Sequence, residues 1–98
     1  MADFLEAVLL LLPPAAGGRR LPIAPREGSY RPTIGSMRVR FIEGPPVIEP
    51  GQAGRVVVEL ESSADPLFSV GSELQVVEQD RVVGMLTVTR ICRAALAL

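Results

Sequence analysis

The chain has 98 residues, and its 10 basic and 11 acidic residues give a formal net charge of −1, which excludes a chain-wide attraction to nucleic acid or to an acidic membrane. Histidine is absent, which excludes a Ser-His-Asp triad and an ordinary zinc site. Apolar residues make up 48% and aromatic residues 4%, so Val, Leu and Ile must supply the core, which favours strands. We expect one domain over residues 1–98, with its core at about 3–92, and no catalytic residue, metal or cofactor.

The first predicted element is an apolar segment over residues 3–12 that ends at Pro13-Pro14. Ala, Leu and Glu also favour a helix, but the proline stop and the family resemblance given below favour a buried strand. The acidic Asp3 and Glu6 are unlike the basic head of a secretory signal, and the run is shorter than the ~20 residues needed to span a bilayer. A targeting segment remains the alternative.

The next predicted elements are a loop and a half-buried strand. Residues 15–29 are rich in Gly and Pro, which predicts a loop with turning points at Gly17-Gly18 and Gly28. Residues 37–41 alternate polar and apolar, as a strand with one solvated face does, so Arg38 and Arg40 are expected to project together.

The middle of the chain contains a short apolar piece, a turn and the clearest strand. Val47-Ile48 follows a Gly-Pro-Pro break, and Glu49-Pro50-Gly51 suits a type II turn. Residues 55–61 form the strand, and residues 62–66 a polar loop. On this strand Glu59 and Glu61 share a face; a solvated face is favoured over a catalytic carboxylate pair.

The last predicted element is a hairpin. After a turn at Gly71, residues 73–78 and 81–90 form two strands joined by the two-residue turn Gln79-Asp80. The apolar residues 91–98 either extend the last strand or fray. The total of six short strands predicts an all-β small barrel or sandwich. The only cysteine, Cys92, cannot form an intramolecular disulfide, which fits a reducing, cytoplasmic compartment.

Charge is unevenly distributed along the chain. Residues 19–40 contain six arginines and one acid, whereas residues 43–80 contain eight acids and one arginine. Two interpretations stay open: a basic side facing an acidic side, or two ordinary solvated faces.

Several stretches together resemble one family, the C-terminal barrel (third domain) of elongation factor Tu and eukaryotic elongation factor 1A. They match in order over about residues 4–91, although none is specific alone. The stretches are Phe4-Leu5-Glu6-Ala7, Gly17-Gly18-Arg19 with Pro22, Tyr30-Arg31-Pro32, Ile48-Glu49-Pro50-Gly51, Val56 to Leu60, Gly71 to Glu78, and Arg81-Val82-Val83-Gly84.

The resemblance implies a six-stranded antiparallel closed β-barrel of Greek-key type that helps to hold the T-arm of aminoacyl-tRNA. It implies that Arg19 touches the RNA backbone, that the hairpin turn lies near the RNA, and that Arg31 stabilises the loop and domain contacts. Arg31 has an alternative role, in which it donates to backbone carbonyls and holds a loop. Tyr30 could stack on a base, and the alternative is that its ring is packed against the protein. The residues proposed to bind RNA or a partner are Arg19, Arg20, Tyr30, Arg31, Arg38, Arg40, Glu78 and Gln79.

The departures from the family limit this interpretation. The chain has no Gly-x-x-x-x-Gly-Lys-Ser/Thr loop, so we expect no GTPase domain and no bound nucleotide. Val77 stands where a basic residue is common, and Gln79-Asp80 replaces two glycines. Two hypotheses follow: a binding module that contacts tRNA, other RNA or a translation protein, or a stand-alone protein-interaction domain, which could also self-associate. No membrane association is expected.

Overall fold

Antiparallel strands account for the regular structure of the computed structural model, which describes residues 3–61 and 68–92. Two short 3-10 turns, Pro14–Ala16 and Pro25–Glu27, lie in the long connection after the first strand. The strands within the described residues are β1 Phe4–Leu11, β2 Thr33–Ile34, β3 Met37–Glu43, β4 Ala53–Leu60, β5 Glu73–Glu78 and β6 Arg81–Cys92.

The strands form one sheet that closes on itself. Hydrogen-bonded neighbours follow the order β1-β4-β3-β2-β5-β6, and β6 pairs with β1. Every pairing is antiparallel. Each described strand therefore has a partner on both sides, which protects a small Val-rich sheet from pairing with other chains through an open edge. The prediction of an all-β, six-stranded antiparallel sheet is confirmed.

Strand β1 lies between β4 and β6 and is buried on one face. Leu5, Ala7, Leu9 and Leu11 point into the core, and the residues between them are more exposed. This period of two shows that the apolar N-terminal segment is a strand and not a helix, because side chains alternate faces only in extended chain. Across the described residues, no helix is long and apolar enough to cross a membrane.

The core consists mainly of aliphatic side chains from the inner faces of the strands. Phe41 is the largest fully buried side chain. In β3, Val39 and Phe41 are buried, whereas Arg38 is exposed and Arg40 half-buried, which confirms the predicted alternation. The two arginines therefore lie on the outer face of the sheet, where charged groups remain solvated.

The sixth strand is not the segment that the sequence suggests. Val47-Ile48 forms only a single bridge, between Ile48 and Ile23, because prolines on both sides remove the backbone donors that a ladder needs. The missing strand is Thr33–Ile34, which pairs with β3 on one side and β5 on the other. Two residues between Pro32 and Gly35 are too few to give a periodic pattern.

The turns mostly form as predicted. Gly51 has a φ of 91°, and the Gln52 N–H donates to the Glu49 carbonyl over 3.0 Å, as a type II turn requires. At the β5–β6 turn Gln79 and Asp80 have φ values of 47° and 65°, the left-handed pair of a type I′ hairpin. The predicted loop at 62–66 and the tail at 93–98 lie outside the described residues.

Candidate functional site

A cavity of about 460 Å³ on the outer surface brings together six of the eight candidate residues. They come from four separate parts of the chain: the loop after β1, the approach to β2, strand β3 and the end of β5. The residues that line this first cavity are Arg19, Tyr30, Arg31, Pro32, Thr33, Arg38, Val77, Glu78 and Gln79.

Strand register forms one wall of the first cavity. Thr33 on β2 lies opposite Arg38 on β3 and opposite Val77 on β5. Residues directly opposite in a sheet share a face, so these three side chains form a row across the outside of the sheet. Because Ile34 is buried and Thr33 is half-buried, the outward direction of this row is fixed.

Arg19 reaches the cavity from a tightly held loop. A Cβ atom on the preceding Gly18 would lie 2.0 Å from the Leu12 carbonyl oxygen, so only glycine allows the loop to pass this close to the end of β1. The Arg19 Nε donates to the Leu21 carbonyl over 2.9 Å. Its Nη1 donates to the Glu78 Oε2 over 2.6 Å, and both side chains are about three-quarters buried. Arg19 is therefore fixed and partly neutralised.

Tyr30 connects this pair to the core. Its hydroxyl also donates to the Glu78 Oε2, and its ring meets Phe41 edge-on with the centroids 5.1 Å apart. The Arg19 guanidinium lies 5.3 Å from the Tyr30 centroid, within cation–π range. Burial, and next the hydrogen bond to Glu78, raises the pKa of Tyr30 well above its usual value. Tyr30 thus has the packed role and not that of a free stacking platform.

A second cavity, of about 500 Å³, adjoins the first and shares Arg19 and Glu78 with it. It contains Arg20, which was a candidate, and Arg81, which sequence reasoning missed. The sequence did contain a signal for Arg81, because the predicted two-residue hairpin turn places Arg81 directly opposite the candidate residue Glu78. The residues that line the second cavity are Pro14, Gly17, Gly18, Arg19, Arg20, Leu21, Glu78 and Arg81.

The two cavities are strongly basic. Of the described residues, five arginines and one carboxylate, Glu78, line them. The exposed Asp80 lies next to them in the hairpin turn. Four of the arginines are exposed and, within residues 3–61 and 68–92, form no ion pair or side-chain hydrogen bond: Arg20, Arg31, Arg38 and Arg81. Free guanidinium groups around a concave surface suit oxyanions such as carboxylate and phosphate.

Among the described residues, three other arginines are engaged elsewhere: Arg26, Arg40 and Arg90, the last in an ion pair with Glu6 over 3.4 Å. Arg40 lies directly opposite Glu59 in the β3–β4 ladder and donates to its Oε1 over 2.8 Å and 3.1 Å. It does not line either cavity, so the structure separates it from the other candidates. The alternative role of Arg31, a clamp on backbone carbonyls, is not formed within residues 3–61 and 68–92. Arg26 donates to the Gly44 carbonyl over 2.6 Å.

The basic and acidic parts of the sequence do not remain apart. Arg19 pairs with Glu78 and Arg40 with Glu59, so members of the two segments meet at two places. Since the Glu59 carboxylate is occupied by Arg40, its pairing with Glu61 as a catalytic couple has no support in the geometry. Within the described ranges no group of three or more Cys, Asp or Glu side chains comes together to hold a metal ion.

Comparison of the chain with models of known protein families gives no match, and comparison with curated proteins gives none either.

Proposed function

We propose that this chain is a non-catalytic binding module that holds the phosphate backbone of RNA at the first cavity. The observation that carries the proposal is that Arg31 and Arg38, both exposed and unpaired among the described residues, flank one concave surface together with the pair Arg19–Glu78. Arginine side chains neutralise backbone phosphates without reading the base sequence. The module therefore contacts RNA by charge and shape.

The proposal includes the family interpretation, in which the closed sheet is a Greek-key barrel like the C-terminal domain of elongation factor Tu. The strand order β1-β4-β3-β2-β5-β6 supports it, since β1 lies beside β4 and not beside β2. So does the meeting, at one cavity, of the glycine-loop arginine, the Tyr30-Arg31-Pro32 stretch and the hairpin turn. A cytoplasmic location and tRNA as the natural RNA are part of this proposal.

In this proposal, one group of residues shapes the cavity and a second group contacts the phosphates. The fixed group is Arg19, Tyr30 and Glu78, whose mutual contacts shape the cavity. The contacting group is Arg31 and Arg38, whose forked guanidinium groups each take one phosphate. A module with so few phosphate contacts binds weakly at physiological salt and much more tightly at low salt.

The experiment is a titration of the chain with bulk tRNA at several salt concentrations. The chain has one tyrosine and no tryptophan, so its intrinsic fluorescence reports on Tyr30 beside the cavity. We expect a complex at low salt and a weaker one as salt rises. The double variant R31Q/R38Q should lose two phosphate contacts and lower the slope of log Kd against log salt by about two.

The control is R55Q/R90Q, which removes the same net charge from exposed arginines that line neither of the two basic cavities. Arg90 forms only a solvent-exposed ion pair with Glu6, over 3.4 Å, and such pairs contribute little to stability. It should bind tRNA nearly as the wild-type chain does. Absence of a complex at low salt would refute the RNA proposal and leave the protein-interaction alternative. Equal weakening by both double variants would also refute it, because the effect would then follow net charge and not the cavity.

A further inference from the structure

We infer that the second cavity is a second phosphate subsite, so that one RNA strand lies across both cavities and passes over the Arg19–Glu78 pair between them. This inference rests on the proposed function and deepens it. It assigns Arg20 and Arg81 as phosphate contacts, and it identifies the ligand as a chain of several successive phosphates and not a single anion.

The state of Arg81 is the first observation. Arg81 and Glu78 are directly opposite across the hairpin, a position at which opposite charges usually attract. They nevertheless form no ion pair, and the Glu78 Oε2 instead accepts from Arg19 and from the Tyr30 hydroxyl. The Arg81 guanidinium is exposed at the second cavity and forms no ion pair or side-chain hydrogen bond within residues 3–61 and 68–92.

The composition of the second cavity is the second observation. Arg20 and Arg81 line it together, and both are exposed. Glu78, the one carboxylate in its wall among the described residues, already accepts from two donors. Leu21, which is 69% exposed, adds an apolar surface at the same place. Free guanidinium groups beside an apolar patch fit a nucleotide, whose phosphate is charged and whose ribose and base present carbon surface.

The shared wall is the third observation. Because Arg19 and Glu78 line both cavities, the two are adjacent and a flexible phosphodiester chain can occupy them at once. Two weak subsites on one ligand bind more tightly than either alone, since the second contact forms within an existing complex. Affinity should therefore rise with RNA length until both cavities are spanned, and then level off.

The test measures the binding of single-stranded oligouridylates of increasing length to the wild-type chain, R20Q/R81Q, R31Q/R38Q and the control R55Q/R90Q. Each of the first two double variants should lower the slope of log Kd against log salt by about 1.4, two contacts at ~0.7 each for a single strand. R20Q/R81Q should also remove the gain in affinity between short and long oligomers. Far-ultraviolet circular dichroism checks that each variant keeps the wild-type strand content.

The outcomes separate the two proposals. If R20Q/R81Q binds long oligomers as the wild-type chain does while R31Q/R38Q is weakened, the second subsite is refuted and the proposed function stands. If the wild-type affinity does not depend on length beyond a dinucleotide, the second subsite is refuted as well. If the wild-type chain binds no RNA at low salt, the proposed function fails and the subsite fails with it.

Discussion

At the scale of single residues, the Glu78 Oε2 atom holds two other side chains of the site in place. The Glu78 Oε2 accepts from both Arg19 and Tyr30, in a place where both members of the ion pair are largely buried. Charge-assisted hydrogen bonds are the strong ones, and a buried pair is screened less than an exposed pair. Because the Tyr30 ring also packs on Phe41, the site is attached to the core and does not depend on its loops alone.

The raised pKa of Tyr30 predicts a loss of stability at alkaline pH. Tyr30 retains its proton in the folded chain above the ordinary pKa of 10.0, whereas the unfolded chain loses it there. The unfolded state then binds fewer protons, so the free energy of unfolding falls as pH rises above about 10, by at most about 1.4 kcal/mol per pH unit. Below that pH the stabilisation is complete.

Urea unfolding of the wild-type chain and of Tyr30→Phe at a series of pH values measures this effect. The Tyr30→Phe variant should be less stable at neutral pH, because it loses the hydrogen bond to Glu78, but its stability should decline less between pH 9 and 11. Ultraviolet titration of the single tyrosine gives its pKa directly. An ordinary tyrosine titration in the folded chain would contradict the prediction.

At the scale of elements, the β5–β6 hairpin carries strain beside the site. Gln79 and Asp80 both adopt left-handed backbone angles, which cost a residue with a Cβ about 1–2 kcal/mol, less for Asp than for most. The type I′ turn matches the twist of the two strands, and it holds Glu78 and Arg81 opposite each other. The placement of the two cavities thus depends on a turn in which Gln79 in particular is unfavourable.

Replacing the turn by Asn-Gly, the pair that type I′ turns prefer, should stabilise the chain. We expect Q79N/D80G to raise the free energy of unfolding by about 1 kcal/mol, since relief of strain exceeds the added flexibility of glycine in the unfolded chain. Gln79→Val should act in the opposite direction, because a β-branched side chain is more strained at positive φ. Urea midpoints measure both, and a midpoint lowered by Q79N/D80G would contradict the assignment of strain.

At the scale of the whole molecule, stability depends on closing the sheet around a small aliphatic core. Phe41 is fully buried and supports the Tyr30 ring from inside. A domain of this size has a free energy of unfolding of only about 5–15 kcal/mol, so one large cavity in the core removes a considerable part of it. The core and the candidate site are therefore in direct contact through the rings of Phe41 and Tyr30.

Phe41→Ala should lower the free energy of unfolding by about 3–5 kcal/mol, and Phe41→Leu by less. The matched control is Val70→Ala at a side chain that is 67% exposed, where the change should be within about 0.5 kcal/mol. Urea unfolding followed by circular dichroism gives all three values. A cost for Phe41→Ala similar to that of Val70→Ala would show that Phe41 does not anchor the core.

The sequence by itself determined the elements whose cause is local. Alternation identified β3, the Pro13-Pro14 stop marked the end of β1, and turn chemistry located Glu49-Pro50-Gly51 and the hairpin at Gln79-Asp80, because side-chain period and turn propensity act over a few residues. It failed at Thr33–Ile34, which is a strand only because β3 and β5 pair with it from both sides.

Only the tertiary structure decided which charged residues meet. Glu78 accepts hydrogen bonds from Arg19 and Tyr30, which lie 59 and 48 positions before it in the chain. Arg40 does not line the candidate site, because the strand register places it opposite Glu59. Contacts of this kind follow from the way the sheet closes and from its register, and a shift of one residue would turn every side chain of a strand to the other face. No local pattern contains that information.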